Sequence, residues 1–280
     1  MKKKLKEFNG LIGCERILKQ IELLHDKGTK AIFLAGYHGL GKSSIVEGLA
    51  TEKKAELIRL QVTEMLSEID IIGGIDLKSG DFKTAPFVNS ILSATQHPDK
   101  LYFLLLDEFT RGREEALNIL FPILAERKLI INNPYSTLNV IAIPDNIKIF
   151  ATGNLHDTGQ REVGQAEMDR YNVIEILPIK EKDTLSYLLK QKVEDLNESV
   201  ADILISVYLK SWDLYADGKI LAMSIRTLIE ATKIGTEYAK TITDKNAVKE
   251  CLGLTYYGTS QAIFNPAYKR TYDEIIKGVN

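Results

Sequence analysis

Eight consecutive residues early in the chain have the types and the spacing of a phosphate-binding loop. The segment Gly36-Tyr-His-Gly-Leu-Gly-Lys-Ser43 fits the pattern G-x-x-x-x-G-K-[ST], and it stands between a predicted strand and a predicted helix. Its glycines allow the backbone to curl around a phosphate, and the first turn of the helix offers free N–H groups. We therefore expect a nucleotide to be bound by Gly36, Gly39, Leu40, Gly41, Lys42, Ser43 and Ser44.

Four side chains have the chemistry that a nucleoside triphosphate with Mg²⁺ requires. We expect the Lys42 ammonium to reach the β and γ phosphates and the Ser43 hydroxyl to bind Mg²⁺. The segment Leu104-Leu-Leu-Asp-Glu108 is an apolar strand that ends in two carboxylates. Because the carboxyl ends of parallel strands meet at one edge of a sheet, these carboxylates are expected beside the loop. Asp107 would then hold Mg²⁺, and Glu108 would act as general base on the attacking water.

Short apolar runs alternate with amphipathic segments through the first two-thirds of the chain, which predicts a doubly wound parallel α/β sheet with helices on both faces. The runs are typical of strands covered on both sides. Strands are predicted at 31–35, 57–62, 101–106, 147–151 and 173–176, and helices near 42–53, 86–97 and 113–127.

Two predicted hairpins interrupt this alternation, and a helical pattern follows it. One hairpin, near 74–86, turns at Ser79-Gly80; the other, near 129–146, turns at Asn132-Asn-Pro134. Helical periodicity dominates from residue 183 to residue 277. We therefore predict an α/β nucleotide-binding domain over 1–177 and a small all-helical domain over 178–280.

The composition restricts the partners that the chain can have. Lys and Arg number 36 against 38 Asp and Glu, so the net charge of −2 gives no global attraction to nucleic acid or to an anionic membrane. The two cysteines, Cys14 and Cys251, stand far apart, which fits a reducing compartment. The four histidines have no metal-ligand spacing. No uncharged apolar run reaches about 18 residues, so we expect no membrane span and a soluble, cytoplasmic protein.

Taken together, the motifs resemble those of the AAA+ ATPases, and within them the MoxR-type and dynein-related (midasin-like) branch. The segment 8–13 resembles the adenine-side segment, with Ile12 and Gly13 as implied nucleotide contacts, and 59–63 with 70–73 resembles the second-strand block. The run 107–111 is similar to D-E-x-N-R, with Thr110 in place of Asn. The pair Glu126-Arg127 resembles the E-R pair that follows the next helix in this family. The resemblance implies the AAA+ sheet followed by a helical lid.

The same resemblance implies roles for three further residues. Asn154, at the end of Ala151-Thr-Gly-Asn, corresponds to the residue that positions water against the γ-phosphate. Arg170, in the segment 166–171, corresponds to an arginine finger that reaches a neighbouring subunit's nucleotide. Arg226, in Ser224-Ile-Arg, corresponds to the lid arginine that contacts the γ-phosphate. Arg111 faces either a subunit interface or solvent. The implied catalytic residues are Glu108, Asn154, Arg170 and Arg226.

The resemblance also implies a function. We expect Mg²⁺-dependent hydrolysis of ATP in a ring of identical subunits, six being the expected number, that remodels a protein partner. A separate partner with a von Willebrand A-type domain is implied, and Lys78, Phe82 and Lys83 are candidate substrate contacts on a pore-facing hairpin. Two alternatives remain open. One is a nucleic-acid motor or loader, against which stand the net charge and the lack of a DNA-binding motif. The other is a nucleotide-gated scaffold with little hydrolysis.

Overall fold

The computed structural model describes residues 7–8, 11–28, 31–154, 171–216, 222–257 and 266–278. The chain divides into two compact units. The first comprises residues 6–37 and 41–177, and the second comprises residues 178–280, with which the loop residues 38–40 are grouped.

The first unit alternates strands and helices. In chain order it contains β1 (Glu7–Phe8), β2 (Leu11–Ile12), α1 (Glu15–Asp26), β3 (Ala31–Gly36), α2 (Lys42–Lys53), β4 (Glu56–Gln61), α3 (Glu68–Ile72), β5 (Gly73–Ile75), β6 (Phe82–Thr84), α4 (Pro86–Gln96), β7 (Tyr102–Asp107), a 3-10 turn (Phe109–Arg111), α5 (Glu114–Glu126), β8 (Lys128–Ile130), β9 (Val140–Ala142), β10 (Ile147–Asn154) and β11 (Asn172–Ile176).

Five of these strands form one parallel sheet in the order β11-β3-β10-β7-β4. Every residue of β3 and β7 is buried, whereas β4, at the edge, alternates between buried and exposed residues towards its end. Side chains on one face, such as Phe33 and Leu104, pack in a core with α4 and α5. On the other face, Phe103 and Phe150 contact His25 of α1. The predicted doubly wound sheet is confirmed, because helices cover both faces.

Both predicted hairpins are present. The strands β5 and β6 pair antiparallel, with Gly73 opposite Thr84, and β8 and β9 pair with Lys128 opposite Ala142. Arg127 connects the second hairpin to the sheet by hydrogen bonds. Its guanidinium donates to the carbonyl of Ile143 at 3.2 Å and to that of Ile147 at 2.9 Å, at the start of β10.

All the regular secondary structure that the structure describes in the second unit is helical. It contains α6 (Lys182–Lys192), α7 (Glu198–Ala216), α8 (Ile225–Tyr238), α9 (Asp244–Leu252), a π turn (Gly253–Tyr257) and α10 (Pro266–Lys277). Tyr208 and Trp212 of α7 are buried. Tyr256 and Tyr272 are also buried, with their ring centroids 6.2 Å apart. These four aromatic residues therefore belong to the core of the helical unit.

Candidate nucleotide site

The phosphate-binding loop connects the buried strand β3 to α2, and glycine is required at both of its ends. At Gly36, a Cβ atom would lie 2.6 Å from the carbonyl oxygen of Ile176 on the neighbouring strand β11, so no side chain fits there. Gly41 caps the start of α2 with a φ of +80°, in the left-handed region that glycine adopts without a steric penalty. The loop therefore delivers the first turn of α2, with its free N–H groups, to the carboxyl edge of the sheet.

Lys42 is held at this edge by three acceptors. Its side-chain nitrogen donates to the carbonyls of Gly36 at 3.0 Å and Tyr37 at 2.7 Å, and to Asn154 Oδ1 at 2.7 Å. Only 8% of Lys42 is exposed. Asn154 can meet it because β10 pairs with β3 in a register that places Asn154 opposite Gly36. Two residues predicted from separate motifs are thus brought together.

Asp107, at the end of β7, is the most buried charged residue of the site. Its Oδ1 accepts hydrogen bonds from the hydroxyls of Ser43 and Thr152, both at 2.6 Å, and its Oδ2 accepts one from Arg59. Burial raises the pKa of this carboxyl group, but the two hydroxyl donors and the Arg59 charge outweigh that effect and keep the pKa below its usual value. Asp107 is therefore ionised at neutral pH.

Glu108 has different partners, although it is adjacent to Asp107. Its φ of +55° lies in the left-handed region, and its N–H donates to Thr152 Oγ1 at 2.9 Å. Its carboxylate oxygen Oε2 forms an ion pair with Arg111 at 2.9 Å and accepts from Gln61 Nε2 at 3.0 Å. From the sequence, Arg111 was expected to face either a subunit interface or solvent. In the structure its guanidinium contacts Glu108 of its own chain.

The remaining predicted site residues are placed as follows. Ile12 is buried, and Gly13 follows it with a φ of +78° just before α1. In the loop, Gly39 has a φ of +74° and Leu40 is buried, while Ser44 is exposed on α2.

Arg226 is exposed in the first turn of α8, where the Ser224 hydroxyl caps the helix by accepting from the Thr227 N–H at 3.0 Å. Arg170 lies outside the described residues.

Three residues of the site were not predicted as functional from the sequence: Arg59, Gln61 and Thr152. Arg59 and Gln61 are alternate residues on the exposed side of the edge strand β4, so their pattern is that of an ordinary surface. Thr152 is buried and stands two residues before Asn154 on β10, so the sequence pattern indicates only a residue of a core strand. The available signal was their position near the carboxyl ends of strands, where the acidic residues also lie.

The side chains present fit a nucleotide with Mg²⁺. Magnesium prefers hard oxygen ligands and is usually held by one or two protein groups together with phosphates. The Ser43 hydroxyl and the ionised Asp107 carboxylate provide such oxygens 2.6 Å apart, directly beside the loop. The buried Lys42 ammonium supplies a positive charge for phosphate oxygens at the same edge.

Comparison with known proteins gives related sequences. The family described as AAA domain (dynein-related subfamily) matches residues 31–171. A subunit of aerobic cobaltochelatase, CobS of a Sinorhizobium species, is 27% identical over 183 residues, 60% of this chain and 49% of that protein. Midasin of Giardia intestinalis is 26% identical over 178 residues, 63% of this chain and 4% of midasin. The chain thus spans half or less of these relatives.

A crystal structure of a Cytophaga hutchinsonii protein, provisionally assigned as an ATPase, aligns with 17% identity and a TM-score of 0.47. The alignment covers 86% of this chain and 81% of that one. In the described ranges, no helix combines the length and the apolar character needed to cross a membrane.

Proposed function

The chain belongs to the dynein-related subfamily of AAA domains, and from that premise we propose that it hydrolyses ATP with Mg²⁺ in a ring of identical subunits and so remodels or activates a protein partner. The observation that carries the proposal is the meeting of three strand ends. The loop after β3 meets the ends of two other strands at one edge of the sheet, because Lys42 donates to Asn154 of β10 and Ser43 donates to Asp107 of β7.

In the proposed mechanism, each polar group at this edge has one task. Lys42 contacts the β and γ phosphates, while Ser43 and Asp107 hold Mg²⁺, which neutralises phosphate charge when bound. Glu108 accepts a proton from the attacking water, and Asn154 orients that water against the γ-phosphate. This distribution is supported by burial: Asp107 is enclosed, as a metal ligand should be, whereas the Glu108 side chain is 35% exposed and accessible to water.

Arg170 and Arg226 complete the proposed site from outside the sheet edge. We assign Arg170 to a neighbouring subunit's nucleotide, because a guanidinium is always charged and donates in a planar fork that suits phosphate oxygens. We assign Arg226 to the γ-phosphate, so that the helical unit responds to the state of the nucleotide. Its exposed position at the capped start of α8 leaves the guanidinium accessible. Six subunits are the expected number in the ring.

A partner protein is proposed from the relatives and from one surface. The relative CobS is by name a subunit, which supports action together with another polypeptide. The resemblance stated from the sequence implies that this partner has a von Willebrand A-type domain. The hairpin β5–β6 offers a contact surface. Leu77 at its tip is 98% exposed, and Ile69 and Ile75 border a groove of about 410 Å³. Large exposed apolar side chains grouped in this way mark interaction sites.

The three predicted hairpin contacts differ in their accessibility. Phe82 is half-buried against the core, whereas Lys78 and Lys83 are both exposed; Lys83 forms an ion pair with Asp76. We therefore propose Leu77 and Lys78, at the tip, as the first contacts of a protein substrate.

The experiment that tests the nucleotide site compares two lysines of the same helix. Lys42→Ala should weaken ATP binding by about 100-fold or more, roughly 2.7 kcal/mol, because it removes the buried cation from the loop. Lys53→Ala is the matched control, since Lys53 is exposed in the last turn of α2 and pairs only with Glu22 among the described ion pairs. Equilibrium titration with a fluorescent ATP analogue measures both. Wild-type affinity in Lys42→Ala would contradict the assignment of the loop.

A further inference from the structure

Arg59 contacts the buried member of the acidic pair, although the mechanism above gives it no part. It lies on β4, two residues before the strand ends at Gln61. Its Nη2 donates to Asp107 Oδ2, and its Nη1 donates to Glu47 Oε1 at 2.8 Å. Because a guanidinium is a rigid planar fork, two contacts through different nitrogens fix its plane between β7 and α2.

Gln61 extends this arrangement to the second carboxylate. Its amide oxygen accepts from Arg59 Nη2 at 3.4 Å, and its amide nitrogen donates to Glu108 Oε2 at 3.0 Å. A guanidinium can only donate and a carboxylate can only accept. Arg59 on one side and Glu108 on the other therefore favour the same orientation of the amide, with its oxygen towards Arg59 and its nitrogen towards Glu108.

The charge of Arg59 has a second consequence. Asp107 is 2% exposed, and its other partners, Ser43 and Thr152, are uncharged. A buried carboxylate without a countercharge is costly. Among the ion pairs of the described residues, the partner of Asp107 is Arg59. Arg59 and a bound Mg²⁺ are thus alternative sources of compensation for the same buried charge.

We propose that Arg59 is a positioning residue of the ATPase site: it compensates the charge of Asp107 and, through Gln61, orients Glu108. The inference rests on the proposed function. Two consequences follow that can be measured separately. Without Arg59, Mg²⁺ becomes more important for the stability of the fold, and Glu108 becomes less well oriented for action on water. Outer partners of metal ligands typically contribute about 10- to 100-fold to activity.

Two substitutions separate the charge of Arg59 from its shape. Arg59→Met keeps a long side chain but removes the charge and all donors, and Arg59→Lys keeps one point charge without the fork. Melting temperatures of the ADP-saturated proteins, in EDTA and in millimolar Mg²⁺, report the compensation of Asp107 without any need for hydrolysis. The values of kcat and of KM for ATP with Mg²⁺ report the orientation of Glu108.

We expect Arg59→Met to be destabilised in EDTA and to gain more stability from Mg²⁺ than the wild type does. Its kcat should fall about 10- to 100-fold, with KM changed by less than about 3-fold. Arg59→Lys should respond to Mg²⁺ as the wild type does, yet keep a low kcat, because an ammonium cannot hold both Asp107 and Gln61 in the geometry of a fork.

Lys100→Met is the matched control. It removes an exposed cation that pairs with Glu56 at the opposite end of β4, at 3.1 Å, and it should leave both measurements unchanged. An equal gain from Mg²⁺ in Arg59→Met and wild type would overturn the compensation, and an unchanged kcat would overturn the orientation of Glu108. A merely structural role would lower stability equally with and without Mg²⁺, which also contradicts the proposal. A wild type that does not hydrolyse ATP would instead refute the proposed function, while the Mg²⁺ comparison would still test the Arg59–Asp107 pair.

Discussion

At the scale of single residues, the backbone gives two adjacent carboxylates different surroundings. Asp107 ends a buried strand, and Glu108 adopts a left-handed conformation that residues other than glycine rarely occupy. The Thr152 hydroxyl links the two, since it accepts from the Glu108 N–H and donates to Asp107 Oδ1. One carboxylate is thereby enclosed and the other reaches solvent. This difference supports their proposed division into metal ligand and general base.

Replacement of one atom tests the role of Glu108. Glu108→Gln keeps the size of the side chain and leaves Asp107 intact, but the amide cannot accept a proton from water. We expect ATP affinity to change by less than about 3-fold and turnover to fall by about 10² to 10⁴. Equilibrium titration and steady-state phosphate release measure the two quantities.

Glu115→Gln is the control for this substitution, because Glu115 is exposed in the first turn of α5. Normal turnover in Glu108→Gln would exclude Glu108 as the base. Glu108 would then be a partly exposed residue that pairs with Arg111.

The residues of the site could be predicted better than their contacts. The motifs predicted Lys42 and Asn154 separately, but their side chains meet only because of the register between β3 and β10, across a separation of 112 residues. Arg59 has a half-exposed side chain on an edge strand, and nothing in its local pattern distinguishes it from a solvated arginine. Contacts of this kind depend on the sheet order, which a pattern of apolar runs does not contain.

At the scale of elements, strands buried on both faces were the most predictable part of the fold. The runs predicted at 31–35 and 101–106 correspond to β3 and β7 within one residue at each end. No helix was predicted at α1, although Ile17, Leu18, Ile21 and Leu24 recur there at helical spacing; Ile21 is the buried one. That helix is held to the sheet in part by His25, whose ring lies 5.4 Å from the Phe150 ring.

The contact of α1 with the sheet should depend on pH. Burial and the nearby Lys148 charge lower the pKa of His25 from 6.5 to about 4. In the unfolded chain the histidine is protonated below about 6.5. The unfolded state therefore binds more protons between these values, so the free energy of unfolding falls as the pH is lowered from about 6.5 to about 4.

Substitution identifies the contribution of His25 to that fall. Between pH 6.5 and 4.5, we expect the melting temperature of His25→Gln to decrease by about 2–4 °C less than that of the wild type, the change that about 1 kcal/mol produces. His97→Gln, at the exposed end of α4, serves as the control and should follow the wild type. Parallel curves for wild type and His25→Gln would show that His25 does not titrate in this range.

At the scale of the whole molecule, the proposed ring divides each active site between two subunits. Arg170 comes directly before Tyr171, which stacks on Phe33 of β3 with ring centroids 4.9 Å apart. If Arg170 acts on a neighbour's nucleotide, an isolated subunit lacks one charged group of its site. Specific activity should therefore increase with protein concentration over the range in which the ring assembles.

Mixing two inactive variants tests this arrangement. Arginine fingers contribute about 10³ to 10⁵ in rate, so Arg170→Ala should lose nearly all hydrolysis and still bind ATP. In a ring that contains both Arg170→Ala and Glu108→Gln subunits, some interfaces pair an intact Glu108 with an intact Arg170. We expect hydrolysis to reappear in such mixtures. Mixed rings that remain inactive would contradict the assignment of Arg170 to a neighbouring site.

The order of strands in the sheet also has a consequence for how the chain is made. Ile32 of β3 pairs with Phe150 on one side and Asn172 on the other, so both neighbours of the strand that carries the phosphate loop come from much later in the sequence. During synthesis, this wholly apolar strand has no partner until β10 has left the ribosome. Unpaired strands of that kind are prone to aggregate. The nascent chain is therefore prone to aggregate until β10 has been synthesised. A chaperone that covers residues 31–36 during this time would reduce that aggregation.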